Sequence, residues 1–161
     1  MSYLLYPTST PDPTQLGGKA KALAALASAD LAIPAWFVLS PQAFYASLMP
    51  DQQRALGAAQ SSEEALAALT NLAIDPEVER ALLAAVAQLV PEPSNSSGAT
   101  KLETGLKLAV RSSALDEDSA HHSFAGQLES FLNVAPAEAP TKVMAVWRSA
   151  FSPRIYACRR Q

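Results

Sequence analysis

Residues 106–134 read LKLAVRSSALDEDSAHHSFAGQLESFLNV, and this stretch decides how the rest of the chain is interpreted. It begins with an apolar run that ends at Arg111 and closes with a second β-prone run, residues 129–134. A polar, acidic segment separates the two runs. This pattern predicts an antiparallel pair of strands, with the intervening loop lying outside the sheet.

Upstream of this stretch, apolar residues recur mainly at helical spacing. Leu16-Gly17-Gly18-Lys19 opens a segment with apolar residues on one helical face, so we predict a helix to about residue 29 that follows a glycine-rich loop. The short apolar run 33–39 is predicted to be a strand, although it contains Pro34. Further helices are predicted over residues 41–48, in two segments between 61 and 90, and from residue 140 onward, with an interruption at Pro50.

The 161 residues fit one domain of the α+β class, with helices packed on a small, mostly antiparallel sheet. Residues 91–100 (PEPSNSSGAT) form the one low-complexity stretch, which predicts a flexible surface loop.

Composition excludes several classes of function. A net charge of −3 with no clustered basic segment argues against a nucleic-acid surface. The single cysteine, Cys158, cannot form an intrachain disulfide, which fits a reducing compartment. No apolar run reaches the length of a membrane span or a signal sequence, so we expect a cytoplasmic protein.

Two cationic residues occupy positions that suit an anion. Lys19 follows the glycine pair at a predicted helix start, where backbone N–H groups and the helix dipole attract phosphate; the alternative is a solvated first-turn lysine. Arg111 ends a strand, from which its guanidinium can bind phosphate oxygens in a bidentate manner; the alternative is a structural salt bridge to the acidic residues 116–118. On the residues alone both alternatives stay open.

Two further clusters carry weaker signals. Asp116-Glu117-Asp118 could be a metal site, but adjacent acids on one loop are more typical of a solvated surface. His121-His122 could transfer protons or bind metal, but neighbouring histidines in a polar loop are usually exposed. We assign no catalytic residue and no metal ligand in this chain.

Several segments, in order, resemble the phosphoenolpyruvate synthase and pyruvate phosphate dikinase family. The strongest is VRSSA at residues 110–114, which continues through ED at 117–118, SFAGQ at 123–127 and FLNV at 131–134. LGGKAKAL at residues 16–23, IPAWFVLS at 33–40 and VWRSAFS at 146–152 also match, although Trp36 stands where the family usually has glycine.

The resemblance implies an ATP-grasp-like nucleotide-binding domain. In this family the domain transfers a phosphoryl group of ATP to a histidine on a separate domain, which passes it to pyruvate or another acceptor. At the matching positions, Lys19 and Arg111 would hold the ATP phosphates, Gly126 would let the backbone approach the nucleotide, and Ser130 would supply a hydroxyl group. Mg²⁺ is expected with the ATP, its carboxylate ligands lying in a part of the enzyme that this chain lacks.

The resemblance also implies that residues 1–161 are the N-terminal portion of that domain. We therefore expect the isolated chain to bind ATP weakly or not at all and to catalyse nothing by itself. Its uncovered apolar surface predicts a tendency to form homodimers or aggregates. The alternative is a stand-alone, non-catalytic interaction or regulatory module that keeps the fold.

Overall fold

A computed structural model describes residues 3–7, 16–29, 31–89, 105–113, 118–119, 122–123 and 128–159. These residues form helices and short strands together, which confirms the α+β class. The helices are α1 (Gly18–Ser28), α2 (Pro41–Ala46), α3 (Pro50–Ala58), α4 (Ser62–Ala68), α5 (Pro76–Leu89), α6 (Ala139–Ser149) and α7 (Pro153–Arg159), and a 3₁₀ turn covers Pro136–Glu138. The strands are β1 (Leu4–Leu5), β2 (Val38–Leu39), β3 (Leu108–Arg111), β4 (Asp118–Ser119), β5 (His122–Ser123) and β6 (Ser130–Val134).

The strands pair in three antiparallel ribbons within the described residues. β1 pairs with β2, β3 with β6, and β4 with β5. The antiparallel pair predicted for residues 106–134 is confirmed as β3 and β6. The small sheet is therefore divided into separate two-stranded ribbons. Residues of β2 and β3 pack against the helical core, which stabilises their ribbons because an isolated pair of strands is marginal in water.

A β-bulge sets which side chains of the β3–β6 ribbon face the helices. Leu108 pairs with Val134 and Val110 with Phe131, so β6 has one more residue than β3 between these pairs. Asn133 lies in this interval with a φ of 57°, the left-handed conformation that asparagine tolerates better than most residues. Because of the extra residue, Phe131 and Val134 both lie opposite inward-facing residues of β3, although three positions separate them.

Helix α5 supplies the centre of the core. The Asp75 carboxylate accepts hydrogen bonds from the backbone N–H groups of Glu77 and Val78, at 2.8 and 3.2 Å, and Pro76 occupies the first helical position. The helix buries one face, which contains Val78, Leu82, Ala85 and Val86. The core cluster consists of Leu82, Val86, Ala139 and Val143, with Phe37, Leu39, Ile74, Leu108, Val110 and Trp147 packed against it. Strand β3, which ends at Arg111, is thus held against α5 and α6.

The C-terminal helices are joined to the α3–α4 region by long-range hydrogen bonds. The Ser62 hydroxyl donates to the carbonyl of Phe151 at 2.7 Å, and the Tyr156 hydroxyl donates to the carbonyl of Ala59 at 2.8 Å. Phe44 stacks on Phe151, with ring centroids 5.9 Å apart. These contacts join residues 44–62 to the C-terminal helices in one packed unit.

Two local predictions were right only in part. The strand predicted over 33–39 is confirmed only at β2, and residues 31–37 form no regular structure; Pro34 has no N–H to donate to a ladder. The helix that begins at Pro41 ends before Pro50, as predicted, but Pro50 also begins α3, which was not predicted, because proline suits the first helical turn. The predicted flexible loop at 91–100 lies outside the described residues. Among the described helices, none is long and apolar enough to cross a membrane.

Candidate functional site

Lys19 is the second residue of α1 and is half-buried. Gly17, the N-cap, is buried and has φ −73° and ψ 169°, a conformation open to any residue. Glycine is therefore not needed there for a left-handed backbone. What it contributes is the absence of a side chain, so the amino end of α1 is left without a local capping group.

The missing cap is supplied from a distant part of the sequence. The backbone N–H of Ala20 donates to the Ser113 hydroxyl oxygen at 3.1 Å, across 93 residues of sequence. Ala20 is the third helical residue, whose N–H an N-cap side chain normally receives. Ser113 thus caps α1 from the end of β3, and this bond joins the segment that carries Lys19 to the segment that carries Arg111.

Arg111 and Ser130 lie on the exposed side of the β3–β6 ribbon. They are directly paired across the two strands, and both residues are exposed. Among the described residues Arg111 has no ion-pair partner. The structural salt bridge to residues 116–118 is untested, because the side chains of those residues lie outside the described set. Arg111 is two residues before Ser113, a Cα separation of at most about 7 Å.

The other residues singled out from the sequence are less well defined. Gly126, Asp116-Glu117 and His121 lie outside the described residues, and the side chains of Asp118 and His122 do too. Where side chains are described, no group of three or more histidine, cysteine, aspartate or glutamate residues could hold a metal ion. The structure therefore brings together the segments of three predicted site residues, Lys19, Arg111 and Ser130.

Ser113 is the residue of this arrangement that sequence reasoning missed. It was part of the VRSSA match, but no role followed from its position. The signal was a helix start whose N-cap is glycine, since the N–H groups of such a helix must find a partner elsewhere. Which residue supplies that partner is a tertiary property, and spacing along the sequence does not reveal it.

This arrangement can bind a polyanion. A helix start with a lysine lies beside a strand end with an arginine, and a serine is paired with that arginine across the strands. The helix amino end carries a partial positive charge, and the two side chains add full charges. Phosphate groups suit such a set, because backbone N–H groups and guanidinium nitrogens bind several phosphate oxygens at once.

Comparison with known proteins agrees with this chemistry. The family described as "Pyruvate phosphate dikinase, AMP/ATP-binding domain" matches residues 13–161. The chain belongs to this family. The match includes every residue of the candidate site, so the fold that places Lys19 beside the end of β3 is part of an AMP/ATP-binding domain.

Two curated proteins are similar to the chain. Prodigiosin synthesizing transferase PigC of Serratia marcescens is 34% identical over 150 residues, which cover 90% of this chain and 15% of that protein. Phosphoenolpyruvate synthase of Escherichia coli (strain K12) is 41% identical over 85 residues, which cover 52% of this chain and 10% of that protein. The matched regions are thus small parts of both relatives.

Proposed function

We propose that this chain binds the triphosphate of ATP through Lys19, Arg111 and Ser130, with the Gly126 segment against the nucleotide. The observation that carries the proposal is the hydrogen bond between Ala20 and Ser113, which joins the lysine and arginine segments. The match to an AMP/ATP-binding family supports ATP as the ligand whose phosphates these charges would bind.

Each residue has a distinct role in this proposal. Lys19 places an ammonium group near the amino end of α1, where the helix dipole already favours negative charge. Arg111 is exposed, and its planar guanidinium can bind two phosphate oxygens side by side. Ser130, opposite Arg111, offers a hydroxyl to the same oxygens. Phosphoryl transfer depends chiefly on such positioning and neutralisation of charge.

The parent activity that we propose is phosphoryl transfer of the phosphoenolpyruvate synthase type, on an ATP-grasp-like domain. In the overall reaction, ATP, pyruvate and water give phosphoenolpyruvate, AMP and phosphate, by way of a histidine outside this chain. Similarity to a protein named as phosphoenolpyruvate synthase supports this choice. The other relative is named a prodigiosin synthesizing transferase, and similarity to it supports the alternative that the same nucleotide site serves another acceptor.

We further propose that the isolated chain binds ATP weakly, turns none of it over and tends to self-associate. The described residues near Lys19 and Arg111 neutralise charge but provide no acceptor histidine. Mg²⁺ would come with the nucleotide, held by carboxylates in a part of the enzyme outside this chain. The exposed leucine Leu132, which is 69% exposed on β6, is one apolar contact that a partner lobe or a second copy could cover.

The test is titration of the ¹⁵N-labelled chain with Mg-ATP, followed by NMR because this method detects weak binding. Lys19→Ala and Arg111→Ala should each weaken binding by about 1–3 kcal/mol, the range for hydrogen bonds to charged groups. Lys21→Ala, an exposed lysine two residues further along α1, and Arg154→Ala, an exposed arginine on α7, are the matched controls. Equal losses of affinity in all four variants would mean that only the net charge of the chain matters, which would overturn the proposed site.

A separate assay tests the absence of turnover. We expect no release of phosphate or AMP from ATP by the purified chain. Turnover that Lys19→Ala abolishes would show a complete active site in this chain and overturn that part of the proposal.

A further inference from the structure

The amino end of α1 depends on a residue from the second half of the chain. Its N-cap, Gly17, has no side chain, and the first turn contains no acidic residue. The Ser113 hydroxyl receives the N–H of Ala20, a residue that is only 2% exposed. This hydrogen bond joins the amino end of α1 to the segment that follows β3.

Strand β3 is itself fixed by the core. Leu108 and Val110 pack against the cluster that α5 and α6 form. Ser113 lies two residues beyond this strand and accepts the N–H of Ala20 in α1. Packing and hydrogen bonding therefore connect the core to Ala20, the residue after Lys19. Gly17 has no side chain, so no local N-cap hydrogen bond holds this end of the helix.

We propose that Ser113 is a positioning residue of the nucleotide site, which holds Lys19 and Arg111 in one phosphate-binding arrangement before the nucleotide arrives. This inference rests on the proposed function of the site. Ser113 acts through the backbone of Ala20 and needs no contact of its own with the nucleotide. A preformed site binds more tightly because the nucleotide does not have to order it.

A purely structural role for Ser113 leads to a different expectation. If the hydrogen bond only stabilised the fold, its loss would lower the melting temperature, and a folded variant would keep its affinity. A positioning role couples Ser113 to Lys19: without the lysine, the direction of the helix end matters less for binding. The loss of binding free energy when both side chains are removed should then be smaller than the sum of the losses in the two single variants.

The experiment uses the ¹⁵N-labelled 161-residue chain with Mg-ATP as the ligand. Ser113→Ala should raise Kd by about five- to tenfold, the effect of one lost hydrogen bond. In the Lys19→Ala background, the same substitution should raise Kd less than twofold. Ser113→Thr keeps the hydroxyl and should restore most of the affinity. Ser28→Ala, which removes a hydroxyl bonded to the carbonyl of Ala24 at the other end of α1, should leave Kd unchanged.

Amide hydrogen exchange without nucleotide gives an independent readout. The N–H of Ala20 should exchange faster in Ser113→Ala than in the wild type and the Ser113→Thr variant. If Ser113→Ala does not fold, Ser113→Cys replaces it, since sulfur is a weak acceptor of nearly the same size.

The outcomes separate the two proposals. A wild-type chain that binds no Mg-ATP overturns the proposed function and the positioning role with it. Binding that Lys19→Ala weakens but Ser113→Ala leaves unchanged overturns the positioning role alone. Additive losses in the Lys19 background do the same, because they show that Ser113 and Lys19 act separately.

Discussion

Arg111 and Ser130 are direct partners across β3 and β6, and both are exposed. Side chains opposite each other in an antiparallel pair have Cβ atoms about 4.5–5.5 Å apart, so a guanidinium and a hydroxyl can reach neighbouring oxygens of one phosphate group. This pair continues the register of Val110 and Phe131, and the bulge at Asn133 lies beyond it, where it brings Val134 opposite Leu108.

The first prediction concerns the shape of the cation at position 111. Arg111→Lys keeps the charge but loses the planar fork, so we expect it to recover only part of the affinity lost in Arg111→Ala, and to remain about tenfold weaker than the wild type. Titration with Mg-ATP measures the three Kd values. If lysine binds as tightly as arginine, a point charge is sufficient and bidentate binding at Arg111 is wrong.

The second prediction concerns the part of the nucleotide that is recognised. Because the assembled residues are cations, helix N–H groups and a hydroxyl, inorganic triphosphate should compete with ATP for the site. Adenosine should not compete at the same concentrations. Competition is followed through the amide shifts of Gly18 and Arg111. Displacement of ATP by adenosine would place a base-binding pocket in this chain and contradict the prediction.

The third prediction concerns the left-handed residue of the bulge. Asn133→Gly should leave the free energy of unfolding nearly unchanged or slightly higher, because glycine adopts a φ of 57° without strain. Asn133→Val should lower it by about 1–3 kcal/mol, since a β-branched residue is strained there. Urea denaturation monitored by circular dichroism measures both. Similar values for the two variants would mean that the bulge relaxes.

The fourth prediction concerns the packing beneath β3. Leu82 is 2% exposed in the core cluster, and Leu82→Ala should lower the free energy of unfolding by about 2–5 kcal/mol. The control is Leu31→Ala, at a leucine that is 54% exposed, where the change should stay within about 0.5 kcal/mol. A small effect at Leu82 would show that the α5–α6 core is loosely packed.

Much of the fold could be predicted because its signals are local. Asp75 followed by proline marks the start of α5, and the apolar spacing beyond it gives the buried face. A serine pair followed by two glutamates marks the start of α4 in the same way, and the Ser61 hydroxyl accepts the N–H of Glu64 at 3.1 Å. The polar segment between two β-prone runs gave the pairing of β3 with β6.

The remainder depends on contacts that no local pattern contains. Proline at residue 34 weakens a strand, whereas proline at residue 50 begins a helix. Which of these effects a proline has depends on what the surrounding segment packs against. The bulge at Asn133 depends on which residues of β3 and β6 face the core, and this is known only once the two strands are paired. In the site, Lys19, Arg111 and Ser130 could be named from the family resemblance, but the bond from Ser113 to Ala20 could not, because 93 residues separate its partners.

That separation has a consequence for synthesis. The amino end of α1 emerges from the ribosome long before Ser113 does, and for that interval its first turn has no distant cap. An isolated helix of 11 residues is marginal in water, so we expect the nascent GGK segment to fray until the second half of the chain has been made. The segment proposed to receive the phosphates would then be among the last parts of the nascent chain to become ordered.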